Sequence, residues 1–397
     1  MNPHPSPLPP STLLRASDEG EWKGVRIFVG TGEASGDRIL ALLLQGLRAE
    51  FPGLELRGFG GPLSAAQGLD SPYPLSDLAV NGVGDVLRKG LFLWRTRKAL
   101  LRLLESFRPD LVLLVDYPGM NVPLARRART LGIPVHFVAP PQLWAYRNPS
   151  RRYTRMQRDL DQTSFQFLFP FEKASYPDWN GTVTQGHFFP LPAFEPTCGT
   201  RLLLCPGSRR GVLRRNLPLW LTRVRAFFGT LEGMDVLVPD YLEKDAREIC
   251  GEAVGPHGLE IVTDKTLAFA RAGAAIAFPG TMTLELFLQR IPVRVWAVVD
   301  PLTLWVGKRK LRGPPHRRLA LPSVIAQEPL LPEWVGTARD FGRNPPEIPG
   351  AISAWNPEAA DAPVHKVWLL MGSDQGVREG VAACTKFLMG RTSISSE

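Results

Sequence analysis

Two short apolar runs, LVLLV (111–115) and AAIAF (274–278), constrain this chain more than any other feature. Each has the length of a strand and no polar position to turn toward water. Continuous apolar strands of this kind belong to parallel sheets covered by helices on both faces. The surrounding sequence repeats the theme. GVRIFVG (24–30), GLELRGFGG (53–61) and IPVHFVAPP (133–141) read as further strands or strand–turn units. Helical stretches lie between them at 36–50, 85–107 and 120–131, with Gly90 marking where the second would break. The pattern then restarts with TRLLLCPGSRR (200–210), MDVLVPD (234–240), GAAIAFPGTMTLELFLQR (273–290) and IPVRVWAVV (291–299), and with helices over 214–229 and 241–252. The fold class is therefore α/β: two Rossmann-like, doubly wound parallel-sheet domains that face a cleft.

A length of 397 residues suits two or three domains. Residues 1–22 read as a polar, proline-rich tail. The first domain spans 23–190 and the second 198–340, with HFFPLPAFEPTCGT (187–200) linking them. A proline-rich crossover at 341–363 precedes a last helix near 374–389.

The formal net charge is +9, which calls for an acidic partner or a solvated basic surface. Nucleic acid, phosphorylated small molecules and anionic lipid are the partner classes. Cys198, Cys205, Cys250 and Cys384 form no C-x-x-C pair, and the six histidines are scattered. The spacing suggests no zinc or iron site, and a reducing cytoplasm is expected. The N-terminus lacks the apolar segment of a signal peptide. No apolar run approaches the ~18 residues that a membrane span requires.

Ligands in doubly wound sheets sit beyond the carboxyl ends of the strands, and the chemistry-bearing motifs fall there. VGTGEASGDR (29–38) follows the first strand, but it is a poor dinucleotide loop. Gly30 and Gly32 fit G-x-G-x-x-G, yet Ser35 takes the third glycine's place. Glu33 and Asp37 stand where pyrophosphate wants bare N–H groups. Asp116, in VDYPGMN, ends a very apolar strand, where desolvation would raise its pKa and fit it to accept a proton. Capping the following helix is its structural alternative. Asn121 could orient a sugar hydroxyl or that carboxylate. In LCPGSRR, Gly207 permits close approach, Ser208 donates a hydrogen bond and Arg209 can clamp phosphate oxygens. In FPGTMTLELF, Gly280 and Thr281 open a helix whose N–H groups and dipole can hold phosphate. Glu285, one turn on, could accept both hydroxyls of a ribose. APPQLWAYR places Trp144 and Tyr146 before Arg147, with Arg151, Arg152, Arg155 and Arg158 beyond; a cleft wall fits this better than a nucleic-acid platform. The stretch 85–108 mixes Leu91, Phe92 and Trp94 with many Lys and Arg. It suits a membrane interface or a helix packed on the sheet with a solvated basic face.

Together these motifs resemble the lipid-A-disaccharide synthase family of inverting GT-B glycosyltransferases. G-E-A-S-G-D is matched at Gly32 to Asp37, G-x-G-G-P at Gly58 to Pro62, and D-x-P-x-x-N at Asp116, Pro118 and Asn121. Pro140, Trp144, Ala145 and Arg147 match S-P-x-x-W-A-W-R. Pro170 to Glu172 match P-F-E, Gly186-His187 match G-H, and Pro206 to Arg209 match P-G-S-R. Gly280 to Glu285 match S-G-T-x-T-L-E, and Pro301, Thr303 and Trp305 match P-x-T-x-W. The ordered agreement runs from about residue 25 to 335.

The resemblance implies a UDP-2,3-diacylglucosamine donor and a 2,3-diacylglucosamine 1-phosphate acceptor. The 6-hydroxyl of the acceptor forms a β-1,6 bond and UDP leaves, with no metal or other cofactor. It implies Asp116 as base, Glu33 on the acceptor side, and Arg209 with the Gly280-Thr281 helix end on the diphosphate. It also implies a peripheral enzyme on the cytoplasmic face of an anionic inner membrane, with the 85–102 helix dipping into lipid through Leu91, Phe92 and Trp94. The C-terminal helices (364–397) are expected to pack back on an N-terminal domain, of the same chain or of a homodimer partner. Nucleic acid is not an expected partner.

The chain departs from the family pattern at Asn81, Ala139, Phe188, Gly211-Val212, Pro279, Ser323, Ala326 to Glu328 and Gly336. Several of these lie on the nucleotide side. They keep open a diverged GT-B enzyme acting on another nucleotide sugar or glycolipid, and an inactive UDP-sugar-binding paralogue.

Overall fold

LVLLV and AGAAIA are buried along their whole length, and each forms a central strand of its own parallel sheet. The structure is a computed structural model that describes residues 24–78, 83–189, 199–255, 257–311, 318–348 and 361–392. The N-terminal tail, Asn81 and most of the proline-rich crossover lie outside the described residues.

The first sheet comprises β1 (Arg26–Gly30), β2 (Glu55–Phe59), β3 (Leu111–Val115), β4 (Val135–Val138), β5 (Ser164–Phe167) and β6 (Val183–Gln185), in the spatial order β2-β1-β3-β4-β5-β6. The second comprises β7 (Arg201–Cys205), β8 (Met234–Leu237), β9 (Glu260–Val262), β10 (Ala272–Ala277), β11 (Val293–Val298) and β12 (Glu333–Gly336), in the order β12-β11-β10-β7-β8-β9. Every pairing is parallel. The direction of winding reverses between β1 and β3 in the first lobe and between β7 and β10 in the second. Such switch points open a crevice at the carboxyl ends of the strands.

The helices that position the site are α1 (Ala34–Glu50), α2 (Pro62–Ala65), α3 (Val83–Phe107), α4 (Pro118–Thr130), α5 (Pro149–Leu160), α6 (Arg210–Phe228), α7 (Lys265–Arg271), α8 (Thr281–Leu288), α9 (Pro301–Lys310), α10 (Asp361–Met371) and α11 (Gly376–Thr392). α3 runs unbroken through Gly90, and Leu100, Leu104 and Phe107 anchor its C-terminal half in the core. α10 packs beside α8 of the second lobe, while α11 lies along α1 of the first. Gln166 donates to the Gly376 carbonyl at 2.7 Å, and Thr385 bonds Glu50. The end of the chain thus straps the two lobes together.

β5, β6, β9 and β12 were not evident in the sequence. β6, β9 and β12 have only three or four residues, too few to show a period. β5 carries Ser164 and Gln166, which look unlike core residues. Both are buried and bonded by the His136 ring, at 2.9 Å and 3.3 Å.

Gly58 illustrates how tightly β2 is set against β1. Its φ is +138°, and a Cβ there would lie 1.9 Å from the Val29 carbonyl oxygen. Gly58→Ala is expected to lower stability by at least about 2 kcal/mol, read as a fall in the urea midpoint. An unchanged midpoint would contradict the packing described.

Candidate active site

The glycines of the turn after β1 are packed against their own chain. A Cβ on Gly32 would meet the Tyr117 ring at 2.5 Å, and one on Gly36 would meet Thr31 Oγ1 at 2.2 Å. Asp37 is buried. Its carboxylate accepts from the backbone N–H groups of Gly61 (2.8 Å), Leu63 (3.0 Å) and Ser64 (3.1 Å), where α2 begins. The chain thus supplies its own anion to the start of α2. Glu33 points the other way, into the cleft.

At the end of β3, Asp116 and Tyr117 both adopt left-handed backbone conformations, with φ of +48° and +52°. Two such residues in succession are costly, and strain of this kind concentrates at functional sites. Asn121, fully buried at the start of α4, stabilises the turn. Its amide donates to the carbonyls of Gly30 (3.1 Å), Val115 (3.2 Å) and Asp116 (2.6 Å). The Asp116 carboxyl has a pKa raised from 3.8 to about 7, first by burial and then by the neighbouring negative charge of Glu33. The Tyr117 N–H and the Arg209 guanidinium pull it back only in part. Glu172, of the PFE motif, is buried nearby and accepts from the N–H groups of Leu168 (2.8 Å) and Phe169 (3.1 Å). Burial lifts its pKa to about 7 as well.

The second lobe contributes the turns after β7 and β10. Gly207 has a φ of +103°, which lets the backbone bend so that Ser208 and Arg209 face the cleft. The Tyr241 hydroxyl fixes this bend by donating to the Ser208 carbonyl at 2.7 Å. Arg209 reaches across the cleft and bonds Glu33. Glu285, nearly buried on α8, bonds Lys265 at the start of α7 and lies 3.3 Å from Arg38 on α1. Two ion pairs of opposite polarity therefore bridge the lobes.

Between them lies a cavity of about 420 Å³ whose walls come from both lobes. Of the sequence-predicted residues, Glu33, Ser35, Gly207, Ser208, Arg209, Gly280, Thr281 and Glu285 line it. Asp116 does not line the cavity, and its carboxyl lies within electrostatic reach of Glu33 and Arg209. Gly32 is covered by Tyr117, and Asn121 supports the backbone. Trp144 and Arg147 do not line the cavity. The Trp144 ring packs edge-on to Phe171 at 5.4 Å, and Arg147 is bound to the end of α9, its N–H on Lys310 and its Nε on Leu311. Arg38 and Lys265 line the cavity but were not singled out from sequence. Arg38 closes the GEASGDR stretch. Lys265 follows β9, an edge strand too short to read. Among the departures from the family pattern, Val212 and Pro279 form part of the cavity wall. Ser323 is buried, where its hydroxyl accepts from the Leu330 and Leu331 N–H groups.

The family model described as Lipid-A-disaccharide synthetase matches residues 27–188 and 195–344. The lipid-A-disaccharide synthase of Pseudomonas fluorescens (strain Pf0-1) is 32% identical over 326 residues, covering 78% of this chain and 84% of its own. That of Geobacter metallireducens is 32% identical over 330 residues, covering 78% and 83%. Among solved structures, the calicheamicin glycosyltransferase CalG4 has a similar fold, with a TM-score of 0.51 at 15% identity, covering 93% of this chain and 99% of its own. Fold, cleft and family match together define the class as a GT-B glycosyltransferase. Within that class, the chain belongs to the lipid-A-disaccharide synthase family.

Proposed function

We propose that the protein transfers a 2,3-diacylglucosamine unit from UDP to the 6-hydroxyl of 2,3-diacylglucosamine 1-phosphate, with inversion and without a metal ion. The observation that carries this reading is the meeting of Asp116, Glu33 and Arg209 where the two switch points face each other. Asp116, with a pKa near neutrality, takes the proton of the attacking hydroxyl. Arg209 exchanges Glu33 for a phosphate oxygen, and Lys265 and the N-terminus of α8 add positive potential as charge grows on the leaving diphosphate. Glu285 accepts the ribose hydroxyls once Arg38 and Lys265 yield it. Glu33, released, faces the acceptor sugar.

The acyl chains of both substrates place the enzyme at a membrane surface. No helix among the described residues is long and apolar enough to cross a membrane. Leu91, Phe92 and Trp94 are exposed on α3, at 61%, 39% and 45%, and Lys98 sits 3.9 Å over the Trp94 ring. Such a face suits the boundary of an anionic bilayer, on the cytoplasmic side where UDP-sugars are made.

Incubating the purified protein with both diacylated substrates should give UDP and the disaccharide 1-phosphate by mass spectrometry. Val212 and Pro279 in the cavity wall favour one second reading, a changed donor; UDP release with another nucleotide sugar and none with this one would select it. Glu285→Gln is expected to weaken UDP about tenfold or more and to erase discrimination between UDP and 2′-deoxy-UDP in calorimetric titrations. A variant that still prefers UDP would remove Glu285 from the ribose.

A further inference from the structure

We infer that α9, from the donor lobe, joins α3, from the acceptor lobe, in one membrane-docking surface, so that both walls of the cleft rest on the same anionic bilayer. This deepens the membrane reading above and rests on it.

Three observations lead there. The first is the outer face of α9. Leu302 and Trp305 are 39% and 52% exposed and stand one turn apart on the same side of the helix. Arg309, one turn further on, holds its guanidinium 4.2 Å over the Trp305 ring. Lys308 and Lys310 are exposed beside it. An exposed tryptophan capped by a cation is the arrangement that α3 also presents with Trp94 and Lys98. An indole gains most where one side is apolar and the other wet, as at the level of lipid headgroups.

The second is continuity. α9 packs directly against α3, so the two tryptophan-bearing helices are neighbours although they belong to different lobes. At the end of α9, Leu311 pairs with Tyr146, whose ring carries the Arg152 guanidinium at 3.6 Å. Arg151, Arg155 and Arg158 continue the basic surface along α5, all exposed.

The third is charge. From Pro301 to Leu311 the sequence has no Asp or Glu, yet it carries Lys308, Arg309 and Lys310. Apolar anchors flanked by an excess of cations complement an anionic bilayer. The P-x-T-x-W motif then has a use that the cavity does not give it. Asp300 caps the start of α9, accepting from the Thr303 hydroxyl at 2.6 Å, and the helix holds Trp305 outward.

The test is co-sedimentation of the full chain with vesicles of equal parts phosphatidylglycerol and phosphatidylcholine, and with phosphatidylcholine alone. Four proteins are compared: the parent, F92S/W94S, L302S/W305S and the combined variant. Thermal melts and UDP titrations serve as folding controls. Each double substitution is expected to lower the partition coefficient on the anionic vesicles about tenfold, and the losses should multiply in the combination. Should L302S/W305S bind like the parent while F92S/W94S weakens, α9 is not part of the surface, and only the α3 reading survives. If neither weakens, both readings fail. If L302S/W305S loses vesicle binding but also dissolves a dimer seen by sedimentation velocity without lipid, the patch covers a second copy and the inference is overturned. If L302S/W305S does not fold, the charge reversal K308E/R309E/K310E carries the same test. It should lose anionic vesicles at low salt, and unchanged binding would overturn the inference.

Discussion

Asp116→Asn is expected to leave UDP affinity close to that of the parent and to lower turnover by ~10²–10⁴-fold, the contribution of a positioned general base. Turnover near the parental rate would remove Asp116 from that role. The pH dependence gives a second reading of the same residue. The carboxyl titrates at about 7 in the folded chain, and only its ionised form accepts a proton. Activity should therefore fall as pH drops below about 7 and level off above it, and the variant should lose this limb.

Stability carries the opposite sign. The folded-state pKa lies above the unfolded value of 3.8, so between about pH 4 and 7 the unfolded chain releases the proton while the folded chain retains it. Stability is lost as pH rises through that window, because a charge must be held in a desolvated place. Asp116→Asn removes the charge. It should melt above the parent at pH 8, and the two should converge below about pH 4. The proposed base would thus raise activity and lower stability over the same pH range.

The second large effect is expected at Arg209. Arg209→Ala should slow transfer by ~10²–10³-fold, as for loss of a preorganised group at developing charge, and should weaken UDP in the same titration. Equal UDP affinity in variant and parent would count against a diphosphate contact. The geometry adds a further mark. Arg209 holds the Asp116 pKa down and Glu33 holds it up. The acid limb should move to higher pH in Arg209→Ala and to lower pH in Glu33→Gln. Opposite displacements are hard to obtain unless the three groups share one electrostatic environment, so limbs that stay in place in both variants would contradict it.

Much of the fold was legible because its central strands are continuous apolar runs. LVLLV and AGAAIA need no partner in sequence to declare that both of their faces are covered. Turns at strand ends announced themselves through glycine, proline and charge together, and these brought Glu33, Ser35, Gly207 to Arg209, Gly280, Thr281 and Glu285 to one cavity. The edge strands β6, β9 and β12 were not legible, since three or four residues cannot display a period. With β9 went Lys265, whose nearness to Glu285 depends on where that edge falls.

Local sequence alone determined the elements: where strands end, which turns carry charge, and that one turn could not be a dinucleotide loop. Tertiary structure alone decided what each charge meets. Glu33, Asp37 and Arg38 lie within six residues, yet one reaches Arg209 on the other lobe, one is sealed under α2 and one faces Glu285. Trp144 and Arg147, which look like a cleft wall in sequence, are turned to Phe171 and to the end of α9. The physical reason is that apolar burial is read from neighbours along the chain, whereas the fate of a charge depends on whichever partner the packing of distant segments brings within a few ångströms.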